Sequence, residues 1–538
     1  MKTRNILASL LILSAFVTAC EKDFETQPEG STVTSAVKET VVKADPAKAE
    51  AGVNALYAQF NEYMGVTGSR HNDFGYPALM MFFDTDGYDF VSTDSGYNWF
   101  GGGLVYDHRI YSSFESEIIW NTMYKIINVS NNLIGSIDPQ TTDPTLQFYL
   151  GQGLACRAWC YWNLAQLYAF NYVDHKSDKC VPVVTDKNAE EVANDGKARD
   201  TVEEVYKQIK TDIDAAVTML DNADQAGLTR ADKRYIDNAV AYGIRARINL
   251  TMENWAAAAS DAQTALQLAS AQGLRPYSMA EVSVPTMYDA SDPSYMWGDI
   301  IADTDRVVTS GIVNWPSHMG SFNYGYCWYM GGHQINKALY NSIPDTDVRK
   351  GWWADEDVYS DHLSALWNYF IAAYIEYPPC TQVKFAPDQN VLQQDQSAND
   401  IPLMRVEEMY LILAEATAMA GNAGQGASIL TQFVQAYRDP AYTCTAGSAK
   451  DVQEAVYWQR RVELWGEGLS WFDIMRLKKN VDRRGGGYES GSVFNIPYGD
   501  NIMLWRLPES EIQANPKIAE GDNNPAGATP DSVPDYDD

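Results

Sequence analysis

The stretch LMRVEEMYLILAEATAMAGNAGQGASILTQFVQAYRDP, residues 403–440, predicts two helices joined by a tight turn. Apolar and small residues recur in its first half at the i, i+3, i+4, i+7 spacing that puts them on one helical face. They are Val406, Met409, Tyr410, Leu413, Ala414 and Thr417. Gly421 and Asn422 break the pattern at the turn, and Pro440 follows the second helix. Because a helix pair of this size cannot bury its apolar face alone, it must stack against further helices.

A second stretch of the chain has the same organisation. Residues 236–270 have a helical pattern that divides at 252–254, and the small residues Ala246, Ala258 and Ala265 allow two helices to approach closely. This helix–turn–helix unit resembles the tetratricopeptide repeat of about 34 residues. We therefore expect a mostly α protein in which about four helix pairs form one right-handed, tetratricopeptide-like solenoid.

Other helices are predicted from their periodicity and from their capping residues. Asp143 is a suitable N-cap for a helix over 143–170, because its carboxylate can accept from the first free N–H groups. Thr201 and Glu204 are spaced as a capping box at the start of a helix over 201–220. The remaining predicted helices span 49–64 and 115–137, whereas 65–113 is predicted to be irregular.

Helical periodicity fades over residues 276–400, where Gly, Pro, Asp, Trp and Tyr dominate. A long stretch without a regular pattern inside a compact protein is usually either functional or disordered. The abundance of Trp and Tyr argues against disorder, because disordered segments contain few aromatic residues. We expect this large, loop-rich portion to carry a ligand-binding site.

The N-terminus has the features of a secreted and lipid-anchored protein. Lys2 and Arg4 precede an apolar run that is too short to span a bilayer and that ends in VTAC, with Cys20 as its last residue. VTAC resembles the bacterial lipobox, in which the cysteine becomes the lipidated first residue of the mature chain. A plain signal peptide with an incidental cysteine is the alternative. We predict a signal peptide over 1–19 and a lipidated flexible tether over 20–44.

Charge and motif content exclude several functions. Lys and Arg number 40 against 71 Asp and Glu, and the formal net charge of −31 repels nucleic acid. No HExxH, GxSxG or P-loop pattern occurs, and no Cys/His spacing suggests zinc. We therefore expect neither catalysis nor a cofactor. Asp84, Asp86 and Asp89 resemble a fragment of a calcium-binding loop, which is the one candidate for a structural metal; a solvated turn is the alternative.

The segment QRRVELWGEGLSWFDIMRLKK carries paired acids in a helical pattern. Glu463 and Glu467 lie one turn apart, where like charges destabilise an exposed helix, so we expect a nearby arginine such as Arg460 or Arg405. Inside a helix Gly468 would cost about 1 kcal/mol relative to Ala, so another element should pack closely there. We predict a structural rather than a catalytic role for this segment.

The same segment contains R-x-x-E-L-x-x-E-G-x-x-x-F-D, which resembles the hallmark of the SusD/RagB family of Bacteroidota outer-membrane lipoproteins. Further pieces of the chain resemble family motifs in the same order. They are WNTMYKIINVSNNLI (120–134), CRAWCYWNLAQLYA (156–169) followed by VPVV (181–184), EVYKQIKTDIDAAVTML (204–220), RVEEMYLILAEA (405–416) and WRLPESEIQANP (505–516). The chain departs from the family pattern at three scaffold positions, Ser470, Ala169 and Val406.

The resemblance implies a nutrient-binding lipoprotein on the outer face of the outer membrane. Its partner would be a SusC-like TonB-dependent barrel, over which it closes as a lid, and the ligand in this family is usually a glycan. The mature chain would divide into a helical N-terminal region (45–275), an irregular ligand-binding region (276–400) and a C-terminal region (401–538). A peptide-binding lid of the RagB kind is one alternative, and a glycoside hydrolase is a less favoured one.

Aromatic residues in irregular loops are the candidate glycan site, because the C–H face of a sugar packs on the face of an aromatic ring. The candidates are Tyr97, Asn98, Trp99, Asn314, Trp315, Tyr324 and Trp328. We expect Trp99 and Trp315 to be the main platforms, and Trp352 and Trp353 are the next candidates. Any of these aromatic residues could instead pack its own loop. Three other tryptophans are expected in the core: Trp120, Trp162 and Trp297.

Overall fold

The computed structural model describes residues 35–63, 71–93, 95–394, 397–445 and 447–536. The predicted signal peptide, Cys20 and the tether up to residue 34 lie outside the described residues. The last part of the predicted flexible tether is helical: Ser35–Ala44 forms a helix, and its Val42 packs in the hydrophobic core. Among the residues described, no helix combines the length and the apolar character needed to cross a bilayer.

Helices account for most of the regular structure. In the N-terminal half they are α1 (Ser35–Ala44), α2 (Glu50–Tyr57), α3 (Tyr76–Thr85), α4 (Gly102–Val105), α5 (Phe114–Ile134), α6 (Pro144–Tyr168), α7 (Ala189–Asp195), α8 (Val202–Gln225), α9 (Asn238–Thr251) and α10 (Trp255–Ala271). Over 276–400 they are short: α11 (Met279–Val282), α12 (Arg306–Thr309), α13 (Trp315–Met319), α14 (Tyr326–Met330), α15 (Lys337–Ser342) and α16 (Ala365–Tyr369). The C-terminal part contains α17 (Val406–Met419), α18 (Ala423–Tyr437), α19 (Ala449–Glu463), α20 (Ser470–Arg476) and α21 (Glu509–Ala514).

Eight of these helices form the predicted repeat scaffold. In chain order α5, α6, α8, α9, α10, α17, α18 and α19 each pack against the next, and α17 also contacts α19. Eight helices are the number that four pairs require. The helix pairs α9/α10 and α17/α18 are the two that the sequence predicts, with turns at 252–254 and 420–422. The mostly α, repeat-built fold is thus confirmed.

The capping residues act as their spacing predicts. The Asp143 carboxylate accepts from the N–H groups of Thr145 and Leu146 at 2.9 and 3.1 Å, and α6 begins at the next residue. Thr201 and Glu204 form a reciprocal capping box at the start of α8. Both caps satisfy N–H groups that a helix cannot pair internally, which fixes where α6 and α8 begin.

The described residues contain three short antiparallel strand pairs, and two of them tie distant parts of the chain together. Strand β1 (Phe90–Ser92) pairs with β3 (His333–Ile335), β2 (Tyr295–Asp299) pairs with β4 (Ile401–Arg405), and β5 (Val481–Asp482) pairs with β6 (Asn495–Ile496). Because β4 runs directly into α17, the β2–β4 pair joins the irregular region to the scaffold. Trp297 is fully buried in β2, and Trp120 and Trp162 are buried on α5 and α6, as predicted.

Helix α3 lies inside a segment that the sequence predicts to be irregular. Every one of its ten residues, YPALMMFFDT, is buried. A helix buried on all sides shows no alternation between apolar and polar faces, so periodicity cannot detect it. The helix is part of the hydrophobic core and carries Asp84 near its end.

The hallmark segment is not one continuous helix, which corrects the prediction. Helix α19 ends at Glu463, and α20 begins at Ser470. Between them Gly466 and Gly468 have φ angles of +77° and +72°, in the left-handed region that favours glycine. The two glutamates therefore lie at a helix end and in a turn rather than on one helical face.

The expected arginine partner of these glutamates is Arg405. The Arg405 guanidinium contacts Glu463 at 3.1 Å and Glu467 at 2.7 Å, and Lys384 contacts Glu467 at 2.7 Å. Burial alone would raise the pKa of Glu467, but Arg405 and Lys384 outweigh it and hold that pKa below its usual value. Arg460, the other predicted partner, pairs with Asp473 instead.

Glu463 has two further arginine partners. Arg438, which follows α18, approaches it at 2.7 Å, and Arg349, from the irregular region, approaches at 3.2 Å. Both arginines are completely buried, and their charges lower the pKa of Glu463 well below its usual value despite burial. This buried network joins the irregular region, β4 and the ends of α18 and α19, so it holds the loop-rich region against the scaffold.

Gly468 allows a close approach that a larger residue would block. A Cβ at this position would lie 2.6 Å from the side chain of Met80 in α3, in a backbone conformation with positive φ. We expect Gly468→Ala to lower the free energy of unfolding by about 1–3 kcal/mol, measured by urea denaturation. Gly491→Ala is the matched control, because a Cβ there meets nothing within 4 Å. Equal stability of the two variants would contradict this packing.

Candidate functional site

Five aromatic side chains from three separate segments meet at the protein surface. We call this group the aromatic surface: Tyr97, Tyr324, Trp328, Tyr329 and Tyr374. Tyr97 and Tyr374 are 51% and 53% exposed, Tyr324 and Tyr329 are also exposed, and Trp328 is half-buried. A cluster of this kind is unusual on a soluble protein surface and marks a binding site more often than scattered single residues do.

The rings of the aromatic surface form an ordered stack. Tyr97 stacks on Tyr329 with ring centroids 5.1 Å apart, and Tyr329 stacks on Trp328 at 5.5 Å with only 12° between the ring planes. Tyr374 lies 6.0 Å beyond Trp328, and Tyr324 packs with its edge toward Trp328 and Tyr329. In this arrangement the four tyrosines remain exposed, so parts of their rings are open to solvent.

Helix α14 presents the centre of the stack. Its residues Cys327 and Met330 are buried, whereas the adjacent Trp328 and Tyr329 point outward. Gly331, with a φ of +95°, ends the helix in a left-handed conformation. The same helical turn thus buries Cys327 and Met330 and directs Trp328 and Tyr329 toward solvent.

The other two segments are held beside α14 by local contacts. Asn98 donates to Ser92 Oγ at 3.1 Å and to the Thr93 carbonyl at 2.8 Å, and this closes the turn that exposes Tyr97. The Thr93 hydroxyl donates to the Met330 carbonyl at the end of α14. Tyr374 ends a π-helical turn, Phe370–Tyr374, that continues α16.

Beneath the aromatic surface lies a small hydrophobic cluster. Phe370 and Ile371, from the same π-helical turn as Tyr374, are buried there together with Phe322 and Tyr377. Phe370 also stacks on Tyr374 at 5.6 Å. Tyr374 therefore rests on a packed hydrophobic base, which restricts the orientation of its ring.

The polar groups of the aromatic surface are neutral hydroxyls and amides. Tyr329 donates from its hydroxyl to the Tyr324 hydroxyl at 3.0 Å, and Gln393 donates from Nε2 to the Tyr374 hydroxyl at 3.4 Å. The hydrogen bond to Tyr324, with a smaller contribution from burial, raises the pKa of Tyr329. Tyr329 is therefore uncharged at neutral pH and presents a hydroxyl as donor or acceptor.

Trp99 belongs to a second aromatic layer rather than to the exposed stack. It is half-buried and lies 4.4 Å from the ring of His71, which contacts Tyr326 at 5.3 Å. Tyr326 in turn stacks on His318 at 4.5 Å. Burial lowers the pKa of His318 to about 3, so its ring is neutral. This layer supports α14 from its inner side.

Four of the other predicted site residues cannot face a ligand in this structure. Trp315 is only 1% exposed and packs edge-on against Phe385, and Trp352 and Trp353 are buried as well. Asn314 is buried and caps α13 by accepting from the Ser317 N–H at 3.0 Å. The prediction of Trp315 as a main platform is wrong, because its ring is packed into the core.

The three carboxylates considered for calcium have separate partners. Asp86 pairs with Arg109 at 2.7 Å, Asp89 pairs with Arg461 at 2.6 Å, and Asp84 accepts from the Gly468 N–H at 2.8 Å. Burial raises the pKa of Asp84 to about 8, so this group is largely protonated at neutral pH. Within the described residues no group of three or more His, Cys, Asp or Glu is placed to hold a metal. The geometry does not fit a shared calcium site.

Two members of the aromatic surface were not predicted. Tyr329 is adjacent to Trp328 and lies in the same glycine-bounded segment, so its sequence context could have identified it. Tyr374 lies in ALWNYFIAAYIEY, where aromatic residues are dense but nothing shows which of them face solvent. Only the tertiary fold brings it beside Trp328.

Comparisons with known families agree with this architecture. Residues 77–250 match a SusD-like family described as starch-binding and associating with the outer membrane, and residues 353–525 match the SusD family, SusD_RagB. The fold and site define a helical-repeat protein with an exposed aromatic surface. The two matches together cover more than half of the chain, and the chain belongs to the SusD/RagB family. No curated protein matches it.

Solved structures share the fold over almost the whole chain. A SusD-like carbohydrate binding protein from Bacteroides vulgatus is 23% identical, with a TM-score of 0.71 over 89% of this chain and 98% of that one. SusD superfamily proteins from Bacteroides thetaiotaomicron and Bacteroides fragilis are 20% and 22% identical, with TM-scores of 0.68 and 0.65. They cover 89% and 88% of this chain, and 99% and 98% of their own lengths.

Proposed function

We propose that this protein captures oligosaccharides at the aromatic surface and delivers them to a SusC-like TonB-dependent transporter. The exposed stack of Tyr97, Tyr329 and Trp328, with Tyr324 and Tyr374 beside it, carries the proposal. The family's sugar-binding members and its description as associating with the outer membrane support it.

The chemistry of the aromatic surface suits a sugar. The C–H groups on one face of a pyranose carry slight positive charge, and the face of an aromatic ring is negative. Stacking buries apolar area while the sugar hydroxyls reach the phenol hydroxyls and the Gln393 amide at the rim. Because hydroxyls and amides both donate and accept, this rim can satisfy sugar hydroxyls in several orientations.

A glycan-binding screen of the soluble mature chain, lacking residues 1–20, tests this proposal. We expect at least one oligosaccharide to bind, with no time-dependent release of products and no requirement for an added metal. Peptides tested in parallel distinguish the RagB-like alternative. Binding of peptides but of no glycan would overturn the proposal, and product release would revive the glycosidase alternative.

Attachment to the outer face of the outer membrane through lipid on Cys20 is part of the same proposal. Several acyl chains anchor a protein durably, whereas one chain holds only marginally, and each buried CH₂ contributes about 0.8 kcal/mol. We expect Cys20→Ser protein to partition into the aqueous phase after membrane fractionation, while the wild-type protein stays with the membrane. A mutant that remains as firmly bound as wild type would contradict lipidation at this residue.

A further inference from the structure

The segments that build and flank the aromatic surface contain no Lys or Arg. This holds for residues 90–105, 311–335, 351–383 and 385–404. The same segments do contain acids, and those of 351–383 are Asp355, Glu356, Asp357, Asp361 and Glu376. The Asn368 side chain accepts from the Ser360 N–H at 2.9 Å, which ties the acidic 355–361 loop to α16, the helix that the Tyr374 turn continues.

Basic residues that border these segments have other partners. Lys337 pairs with Glu356 at 3.3 Å, Lys350 pairs with Asp345, and Lys384 is buried against Glu467 at 2.7 Å. Arg306, which precedes 311–335, lies over the ring of Tyr63 with 4.9 Å to the centroid. None of these four residues contacts a ring of the aromatic surface in the interactions described.

The histidines in these segments supply no positive charge either. They are His318, His333 and His362, and burial lowers their pKa values to about 3, 4 and 4. At neutral pH all three rings are uncharged. The aromatic surface therefore combines apolar rings with neutral hydroxyls and amides, and the segments that carry it contain acids but no Lys or Arg.

Anionic sugars need a different environment. Sulfate and carboxylate groups are held in proteins by charge-assisted hydrogen bonds from Arg and Lys. An anion that leaves water without such a partner loses solvation that is not replaced. The net charge of −31 adds long-range repulsion of a polyanion.

We propose that the ligand of the aromatic surface is an uncharged glycan, and that glycans carrying uronate, sulfate or sialate groups are excluded. This inference rests on the proposed function. It specifies the class of glycan that the same site binds. The reason is that the segments forming the site contain no cationic side chains.

Matched pairs of glycans test the inference. The pairs are xylo-oligosaccharides with and without glucuronic acid, oligogalacturonides in methyl-esterified and free-acid forms, and mucin O-glycans before and after desialylation; uncharged glucans and mannans complete the panel. We expect binding only by uncharged members, with affinity unchanged between 50 and 500 mM NaCl, since no ion pair is screened. Arg306→Gln should leave that affinity unchanged.

Gln393→Lys is the complementary variant, because it places a cation beside the Tyr374 hydroxyl without altering the stack. For each matched pair whose uncharged member binds the wild type, we expect this variant to bind the charged member measurably. That binding should weaken as the salt concentration rises. Tighter binding of a charged member by wild-type protein, weakening as salt rises, would overturn the inference while supporting glycan binding. Failure of every glycan in the panel would instead count against the proposed function itself.

Discussion

Glu463→Ala is expected to lower the free energy of unfolding by about 3–5 kcal/mol and to reduce the yield of soluble protein sharply. Glu463 is completely buried, and its carboxylate contacts Arg349, Arg405 and Arg438. Removing it takes one carboxylate away from three buried guanidinium groups. Among the described residues, only Asp347, Glu407 and Glu467 then remain to compensate their charge. Urea denaturation and soluble yield measure the loss.

Glu454→Ala is the control for that variant. Glu454 lies on the same helix, α19, but is exposed and pairs with Lys450 and Lys479 at the surface. Surface pairs of this kind contribute up to about 1 kcal/mol, so its removal should change stability little. If Glu463→Ala were as stable as the control and had lost only ligand binding, the network would belong to the ligand site rather than to the scaffold.

Trp328→Ala is expected to weaken glycan binding at least about tenfold, since truncating an aromatic anchor typically costs about 2 kcal/mol or more. Trp328 is the centre of the aromatic surface: it stacks on Tyr329 and approaches Tyr324 and Tyr374. The variant should melt close to the wild-type temperature, because the ring is only half-buried. Calorimetric titration and thermal denaturation measure the two effects.

Tyr536→Ala controls for the loss of an exposed aromatic ring elsewhere. Tyr536 is 66% exposed and lies against Arg484 near the C-terminus, apart from the aromatic surface. It should bind glycan as the wild type does. Wild-type affinity in Trp328→Ala would show that the glycan platform lies elsewhere on the molecule.

Much of the scaffold is predictable from sequence because its signals are local. The Asp143 cap, the Thr201 capping box and the turns near 253 and 421 depend on residues a few positions apart. Helix α3 escaped prediction because complete burial removes the periodic pattern. The hallmark segment does not form the continuous helix that its sequence predicts. Glu463 and Glu467 have helical spacing, but Gly466 and Gly468 have positive φ values, which an α-helix does not allow.

The site is less predictable, because exposure depends on tertiary packing. Tyr97, Tyr324 and Trp328 were predicted and lie in the exposed cluster. Trp315 has the same loop context, yet it packs against Phe385 in the core. The contact between Trp328 and Tyr374 joins segments about 46 residues apart, and no local pattern encodes which ring of α16 and its π-helical extension points outward.

A crystal structure of the protein with the uncharged oligosaccharide that binds most tightly in the panel tests the central claim most directly. We predict a sugar ring in van der Waals contact, within about 4 Å, of at least one ring of the aromatic surface. Its hydroxyls should reach the phenol groups of Tyr324, Tyr329 or Tyr374. An oligosaccharide bound elsewhere, with all five rings uncovered, would contradict the assignment of this surface as the glycan site.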